Sequence, residues 1–299
     1  MVGSHTAKEF HYHVRSITLP CRLHPSLSEI EKELKRLKTW ELASSHSQTE
    51  GIKAGLTWVE ELYNFVEELV GCPLTQQALL RCDGKHVEKP LDMSVCLLDM
   101  CGSARELLSL MKENVLDLQS ALRRKGVNSR VNSQICAYIC FRKKARKDIT
   151  ERLKALKTME SGFKSYSCPL LLDLDHHLLM VISVLREISK INISFFRKLL
   201  LYMCTPVLKN NTGGWSLFTR IVSSGSDKQK RVISEMGDID NVLCTFHGCF
   251  KKIDTKTDVQ IMKRRLGELE GSIRELEAGL DCRFRCLIQQ RVFLNLFTS

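Results

Sequence analysis

Apolar residues recur at steps of four and three near the end of the chain: Met262, Leu266, Leu269, Ile273, Leu276 and Leu280, continued by Phe284 and Leu287. This spacing returns to one side of an α-helix and predicts a long helix whose heptad-like seam needs partner helices to cover it. The same period runs through earlier segments. Ile30, Leu34 and Leu37 mark a first helix starting near Ser26, which has capping-box spacing with Glu29 and follows Pro25. After a polar connection over 44–51, Leu56, Val59, Tyr63, Val66 and Val70 mark a second helix ending at Gly71-Cys72-Pro73, followed by a short one through Leu74 to Leu80.

A polar turn over 83–90 precedes a third long helix carrying Met93, Leu97, Met100, Leu107, Leu108, Met111, Val115, Leu118 and Leu122, closed by Gly126. The next has an apolar stripe of Val131, Ile135, Tyr138, Ala145, Ile149, Leu156 and Phe163. Beyond Cys168-Pro169, the segment 170–203 is apolar around much of its circumference, which suits the centre of a bundle. The interval near 207–230, with Asn210-Asn211 and Gly213-Gly214, reads as a mobile loop before a helix over 232–253. Strand-like alternation appears over no useful length. The expected fold is all-α: an elongated bundle of long antiparallel helices with a heptad-patterned C-terminal helix packed along the others. An extended N-terminal segment (1–25) would precede a single bundle domain (26–299).

Charge adds a polarity to this picture. Of the net +11, ten charges fall between Ala121 and Lys157, where twelve basic residues face only Asp148 and Glu151. At ~100° per residue, Lys143, Lys147, Lys154 and Lys157 cluster opposite the apolar stripe, giving an amphipathic helix with one cationic face. The run Lys143-Lys144-Ala145-Arg146-Lys147 suits phosphates of RNA or anionic lipid, or nuclear import; a solvated helix face is the bland alternative. The candidate interaction surface is Lys143, Lys144, Arg146, Lys147, Lys154 and Lys157. Tyr138 and Phe141 fall on or beside the buried stripe, which argues against base stacking.

Thirteen cysteines, an odd number at scattered or helical spacings, read as reduced thiols in a reducing compartment. The first residues lack an apolar signal region, and Val2 precludes the glycine that myristoylation requires. The longest apolar runs, 176–185 and 199–208, fall far short of the ~20 residues a membrane span needs. Cytoplasmic placement is expected, with peripheral membrane or nucleus as alternatives.

Sites with chemistry are sparse. Asp173 and the Asp175-His176-His177 triplet match a manganese phosphoesterase signature, and carboxylate with imidazole suits Mn or Zn. Adjacent histidines diverge by ~100° on a helix, however, so an ordinary helix start with acids at its positive end is favoured. Cys244, His247 and Cys249 offer three potential zinc ligands without a fourth at standard spacing, and His11 to His13 is similarly weak. Phosphate-cradling and nucleophile-elbow motifs are missing. Gly267 and Gly271 form a GxxxG that reads as allowing close helix packing. The chain is expected to be no enzyme and to take no cofactor or metal.

Several blocks resemble the plant-specific BYPASS-related proteins, a family of unknown function. They are His13-Val14-Arg15-Ser16 with Leu19-Pro20 and His24-Pro25; Pro73-Leu74-Thr75-Gln76-Gln77-Ala78-Leu79; Leu98-Asp99-Met100-Cys101 with Ala104-Arg105; and Leu118-Gln119-Ser120 with Leu122-Arg123-Arg124. Leu276-Glu277-Ala278-Gly279-Leu280 with Phe284-Arg285, Leu287-Ile288 and Arg291-Val292 complete the resemblance, which departs at Cys21, where serine is expected, and in the added thiols Cys282 and Cys286. It implies an all-helical protein associated with root and shoot development and carries over no catalytic residue. Arg15-Ser16 leaves the N-terminal block open as a phosphorylation or docking segment. The functional expectation is a non-enzymatic helical interaction or adaptor protein with an unidentified protein partner. A peripheral binder of anionic membrane or RNA through residues 142–157 is the alternative, and a metal-dependent phosphoesterase follows behind.

Overall fold

The computed structural model describes residues 25–42, 48–81, 85–124, 128–164, 176–204, 235–248 and 256–295. Among these are eight helices and no strand: α1 (Pro25–Leu42), α2 (Gln48–Gly71), α3 (Pro73–Leu80), α4 (Lys85–Arg123), α5 (Asn128–Lys164), α6 (His176–Cys204), α7 (Glu235–Gly248) and α8 (Lys256–Asn295). The protein is all-α, as its periodicity predicts. The N-terminal block and the glycine-rich interval near 207–230 lie outside the described residues, as do Asp173, Asp175 and Cys249.

Burial follows the predicted stripes. Ile30, Leu34 and Leu37 bury one side of α1 against α2, which runs antiparallel to it: the Ser26 hydroxyl donates to Glu68 at 2.8 Å, Arg36 pairs with Glu61 at 2.8 Å, and Trp40 Nε1 donates to the Gly51 carbonyl at 2.7 Å. Ser26 thus lies inside the helix and reaches across to α2. Gly55 is a packing requirement, because a Cβ there would lie 2.5 Å from the Trp40 ring. At the end of α2 the chain turns through extended Cys72, and Pro73 opens α3 at the position where a missing N–H costs nothing.

The longest helices are α4 with 39 residues, α5 with 37 and α8 with 40, each roughly 55–60 Å long at 1.5 Å per residue. α4 starts at Lys85, so residues 85–90 of the polar turn expected over 83–90 are helical, and it carries Pro90 in its second turn. There a proline removes one backbone hydrogen bond while the rest of a long, packed helix holds the geometry. α7 covers Glu235–Gly248 of the helix expected over 232–253; the rest of that span lies outside the described residues.

All of Met262, Leu266, Leu269, Ile273, Leu276, Leu280 and Leu287 are buried, so the C-terminal seam is covered within the chain. α4 lies antiparallel along it, with Lys112 on Glu277 and Arg105 on Asp281, each at 2.5 Å. α2 lies against the same helix in parallel, pairing Lys53 with Glu275 and Tyr63 with Gln290. The two helices pack tightly at Gly279, where a Cβ would fall 2.5 Å from Leu56. Gly267 and Gly271 meet nothing within 4 Å, which corrects the close-packing reading of the GxxxG; the glycine that admits a neighbour is Gly279. α6 is the central helix expected. It touches α1 to α5 and α7 and buries residues on nearly every side from Ile188 to Cys204.

Candidate functional site

The sequence of α5 sorts its side chains into two opposed sets. Val131, Ile135, Tyr138, Ala145, Ile149, Leu153 and Leu156 are buried against the bundle, and the helix packs on α4, α6 and α7. Lys143, Lys144, Lys147, Lys154 and Lys157 are all exposed on the other side. They span ~21 Å of helix axis, and none makes an ion pair among the described residues. The half-buried Asp148 and the exposed Glu151 are the acids set among them on α5. Unpaired cations in a row on a rigid helix create a local positive potential that attracts anionic surfaces.

Arg146 belongs elsewhere. It is largely buried, and its Nη2 donates to Asp240 Oδ2 of α7 at 2.5 Å. Arg142, one residue from the start of the lysine run, is fully buried. Its Nε donates to Asp240 Oδ1 at 2.9 Å, its Nη2 to Oδ2 at 2.8 Å, and its Nη1 to the Met203 carbonyl at the end of α6 at 2.9 Å. Burial opposes the Arg142 charge, but the adjoining Asp240 carboxylate outweighs it and holds the guanidinium above its ordinary range. Burial, reinforced by Asp240, pushes the Tyr138 phenol well up. These two arginines therefore fasten α5, α6 and α7 together, and the free cationic face consists of the five lysines. Arg142 was legible in principle, since it sits seven residues from both Ile135 and Ile149, on the apolar stripe.

A second buried cation escaped the sequence reading for the same reason. Strict alternation after Leu280 places Arg283, not Phe284, on the C-terminal seam; Arg283 is 3% exposed and Phe284 only partly buried. The Arg283 guanidinium lies 4.8 Å from the Phe195 ring centre and 5.7 Å from that of Tyr63. None of its three nitrogens has a hydrogen-bond partner among the described residues, and burial lowers its pKa. Next to it, Tyr63 donates to Gln290 at 2.8 Å and accepts from Asn192 at 3.1 Å, forming a polar layer across α2, α6 and α8. Burial raises the Tyr63 phenol to about 12 and the Cys101 and Cys286 thiols to about 11. These groups stay neutral beside the cation at physiological pH.

The motifs with metal-ligand chemistry are not assembled. His176 is exposed and His177 buried, with its Nε2 at 2.8 Å from the Thr75 hydroxyl of α3, so the two rings diverge as adjacent helical residues must. Cys244 is half-buried on α7; the side chain of His247 and all of Cys249 lie outside the described residues, as does the His11 to His13 triplet. No cluster of three or more His, Cys, Asp or Glu side chains suited to a metal occurs among the described residues. A groove of about 330 Å³ between α1, α5 and α6 is lined by charges that pair internally, Lys38 and Lys190 on Glu187 and Arg197 on Glu160. No helix among the described residues is long and apolar enough to cross a membrane.

The family model described as Protein BPS1 matches residues 55–296, from α2 to the end of α8. The chain belongs to that family, the BYPASS-related family which its sequence blocks resemble. No curated protein and no solved structure matches it.

Proposed function

We propose that this member of the BPS1 family is a non-enzymatic interaction protein of plant root and shoot development, whose bundle presents the lysine face of α5 to an anionic partner. The observation that carries this reading is the row of five exposed lysines, without an ion pair among the described residues, on a helix whose other side is anchored in the core. A merely solvated helix face usually intersperses both charge signs and forms i,i+4 pairs, as Arg264 with Glu268 and Arg274 with Glu270 do on α8. On α5 the lysines are left without them. With Tyr138 buried and Phe141 half-buried, the face offers no exposed aromatic platform for bases, so it suits phosphates or carboxylates presented on a surface better than single-stranded RNA.

The test is affinity purification from plant cells, comparing wild type with a variant carrying Lys143→Glu, Lys144→Glu, Lys147→Glu and Lys154→Glu. Arg146 is left intact because it belongs to the Asp240 cluster. A variant that keeps its circular dichroism and melting temperature but loses its co-purifying set places function on this face. An unchanged set removes the proposal.

A further inference from the structure

The lysine face extends toward the start of α5 as a pair of thiols. Cys140 lies three residues before Lys143 and seven before Lys147; Cys136 lies seven before Lys143 and eleven before Lys147. These are the spacings that return to one side of a helix, so both cysteines share the cationic face. Cys140 is exposed and Cys136 half-buried. The contrast within the molecule is informative. Cys96 on α4 is equally exposed, but Asp92 and Asp99, four residues before and three after it, are exposed on its side of the helix. Cys101 and Cys204 are buried in the bundle. Of the two cysteines that are exposed among the described residues, Cys96 and Cys140, it is Cys140 that adjoins a row of cations without ion pairs.

We infer that Cys140, with Cys136 as a second acceptor, is a site of S-acylation, and that the acyl chain and the lysine row together hold α5 flat on an anionic membrane. This deepens the lysine-face reading and rests on it, with phospholipid as the partner. The Cys140 sulfur attacks the carbonyl carbon of a long-chain acyl-CoA, delivered by an acyltransferase. A new S–C(O) bond forms, the thioester bond to coenzyme A breaks, and coenzyme A leaves as its thiol with the proton the cysteine gives up. Hydrolysis by a thioesterase returns the thiol and a fatty acid, so the attachment is reversible. One acyl chain alone gives marginal membrane binding, and a polybasic patch is the kind of second signal that makes it stable. Acylation at Cys140 would insert its chain within ~5 Å of axis from Lys143 and up to ~26 Å from Lys157, setting the lysines over the surrounding headgroups.

Two measurements on the full chain test this. In plant cells fed an alkyne-tagged fatty acid, hydroxylamine-sensitive labelling should appear on wild type and on Cys96→Ser, and vanish from Cys136→Ser/Cys140→Ser. In vitro, purified unacylated protein should bind phosphatidylcholine vesicles containing phosphatidylserine, and binding should fall at least ~100-fold in the four-lysine variant, at about fivefold per lysine near a charged surface. Added salt should weaken it steeply. Absent labelling, or labelling lost only with Cys96→Ser, overturns the acylation. If vesicle binding and the co-purifying set still depend on the lysines in that case, the lysine-face reading survives alone. Equal binding to vesicles with and without phosphatidylserine overturns an anionic membrane as the partner of the lysines, and RNA binding by the same lysines would then name the alternative.

Discussion

Two arginines lie equally deep in this bundle and are treated in opposite ways. Arg142 is 1% exposed and every nitrogen donates, to Asp240 or to the Met203 carbonyl; Arg283 is 3% exposed and none of its nitrogens has a partner among the described residues. The first exchanges its hydration for a bidentate carboxylate, which suits the planar guanidinium and ties the middle of α5 to α7 and to the end of α6. The second lies against the faces of Phe195 and Tyr63, which offer quadrupole attraction worth about 0.5–2 kcal/mol, against a larger desolvation cost. Equal burial therefore does not mean equal contribution. The Arg142 cluster ties α7 to α5 and α6 through paired charge, whereas Arg283 occupies the α8 seam with aromatic faces for neighbours.

The largest expected effect breaks the first member of this comparison. Asp240→Ala leaves Arg142 buried without its carboxylate and should cost about 3–5 kcal/mol in urea unfolding. Replacing both partners, Arg142→Leu with Asp240→Leu, should recover most of that loss, because two apolar side chains leave no buried charge unpaired. A double variant as unstable as Asp240→Ala would mean that geometry, not charge balance, makes this cluster important. The second member is sharpened by Arg283→Met, which keeps a long apolar side chain on the seam and removes the cation. It should leave stability unchanged or raise it by about 1–2 kcal/mol, and a loss above that size would show Arg283 to be a net stabiliser.

A partly exposed ion pair gives a smaller third case. Burial works to raise the Glu187 pKa, but hydrogen bonds from Lys190 and Lys38 together outweigh it, and the carboxyl titrates below its ordinary 4.5. A depressed folded pKa stabilises the fold above the unfolded value, and that stability is lost as pH falls through the folded value. Wild type should therefore lose at most about 1 kcal/mol more than Glu187→Gln between pH 7 and pH 3, because solvent screens the pair. A variant as acid-sensitive as wild type would count against it. The smallest stability effect belongs to the lysine face, where the four charge reversals should shift stability by no more than about 0.5 kcal/mol. A larger loss would show that these lysines serve the fold.

The long apolar stripes made most of the architecture readable, because a 3.6-residue period survives in sequence whatever it packs against. The α8 seam, the α5 stripe and the all-round apolar α6 all reappear as buried surfaces. The reading failed where a seam position is polar. Arg142 and Arg283 both keep the spacing of their stripes, yet composition counts them as surface charge. A pattern of hydrophobicity has no means of registering a buried guanidinium, since only its partners in space decide whether it is tolerated. Arg146 illustrates the same limit at the candidate site: it belongs to the basic run in sequence and to Asp240 in space, 94 residues away.

By itself, then, the chain determined helix content, the faces of the long helices and the concentration of positive charge on α5, since each depends on residues within a few turns of one another. Which glycine admits a neighbour, whether α2 runs parallel or antiparallel to α8, and which cations remain free were decided only by tertiary packing. Those properties depend on residues far apart in sequence meeting across helix interfaces: Gly279 against Leu56, Tyr63 with Gln290, and Asp240 removing two arginines from the basic run while leaving the lysines and the cysteine-bearing stretch beside them to the surface.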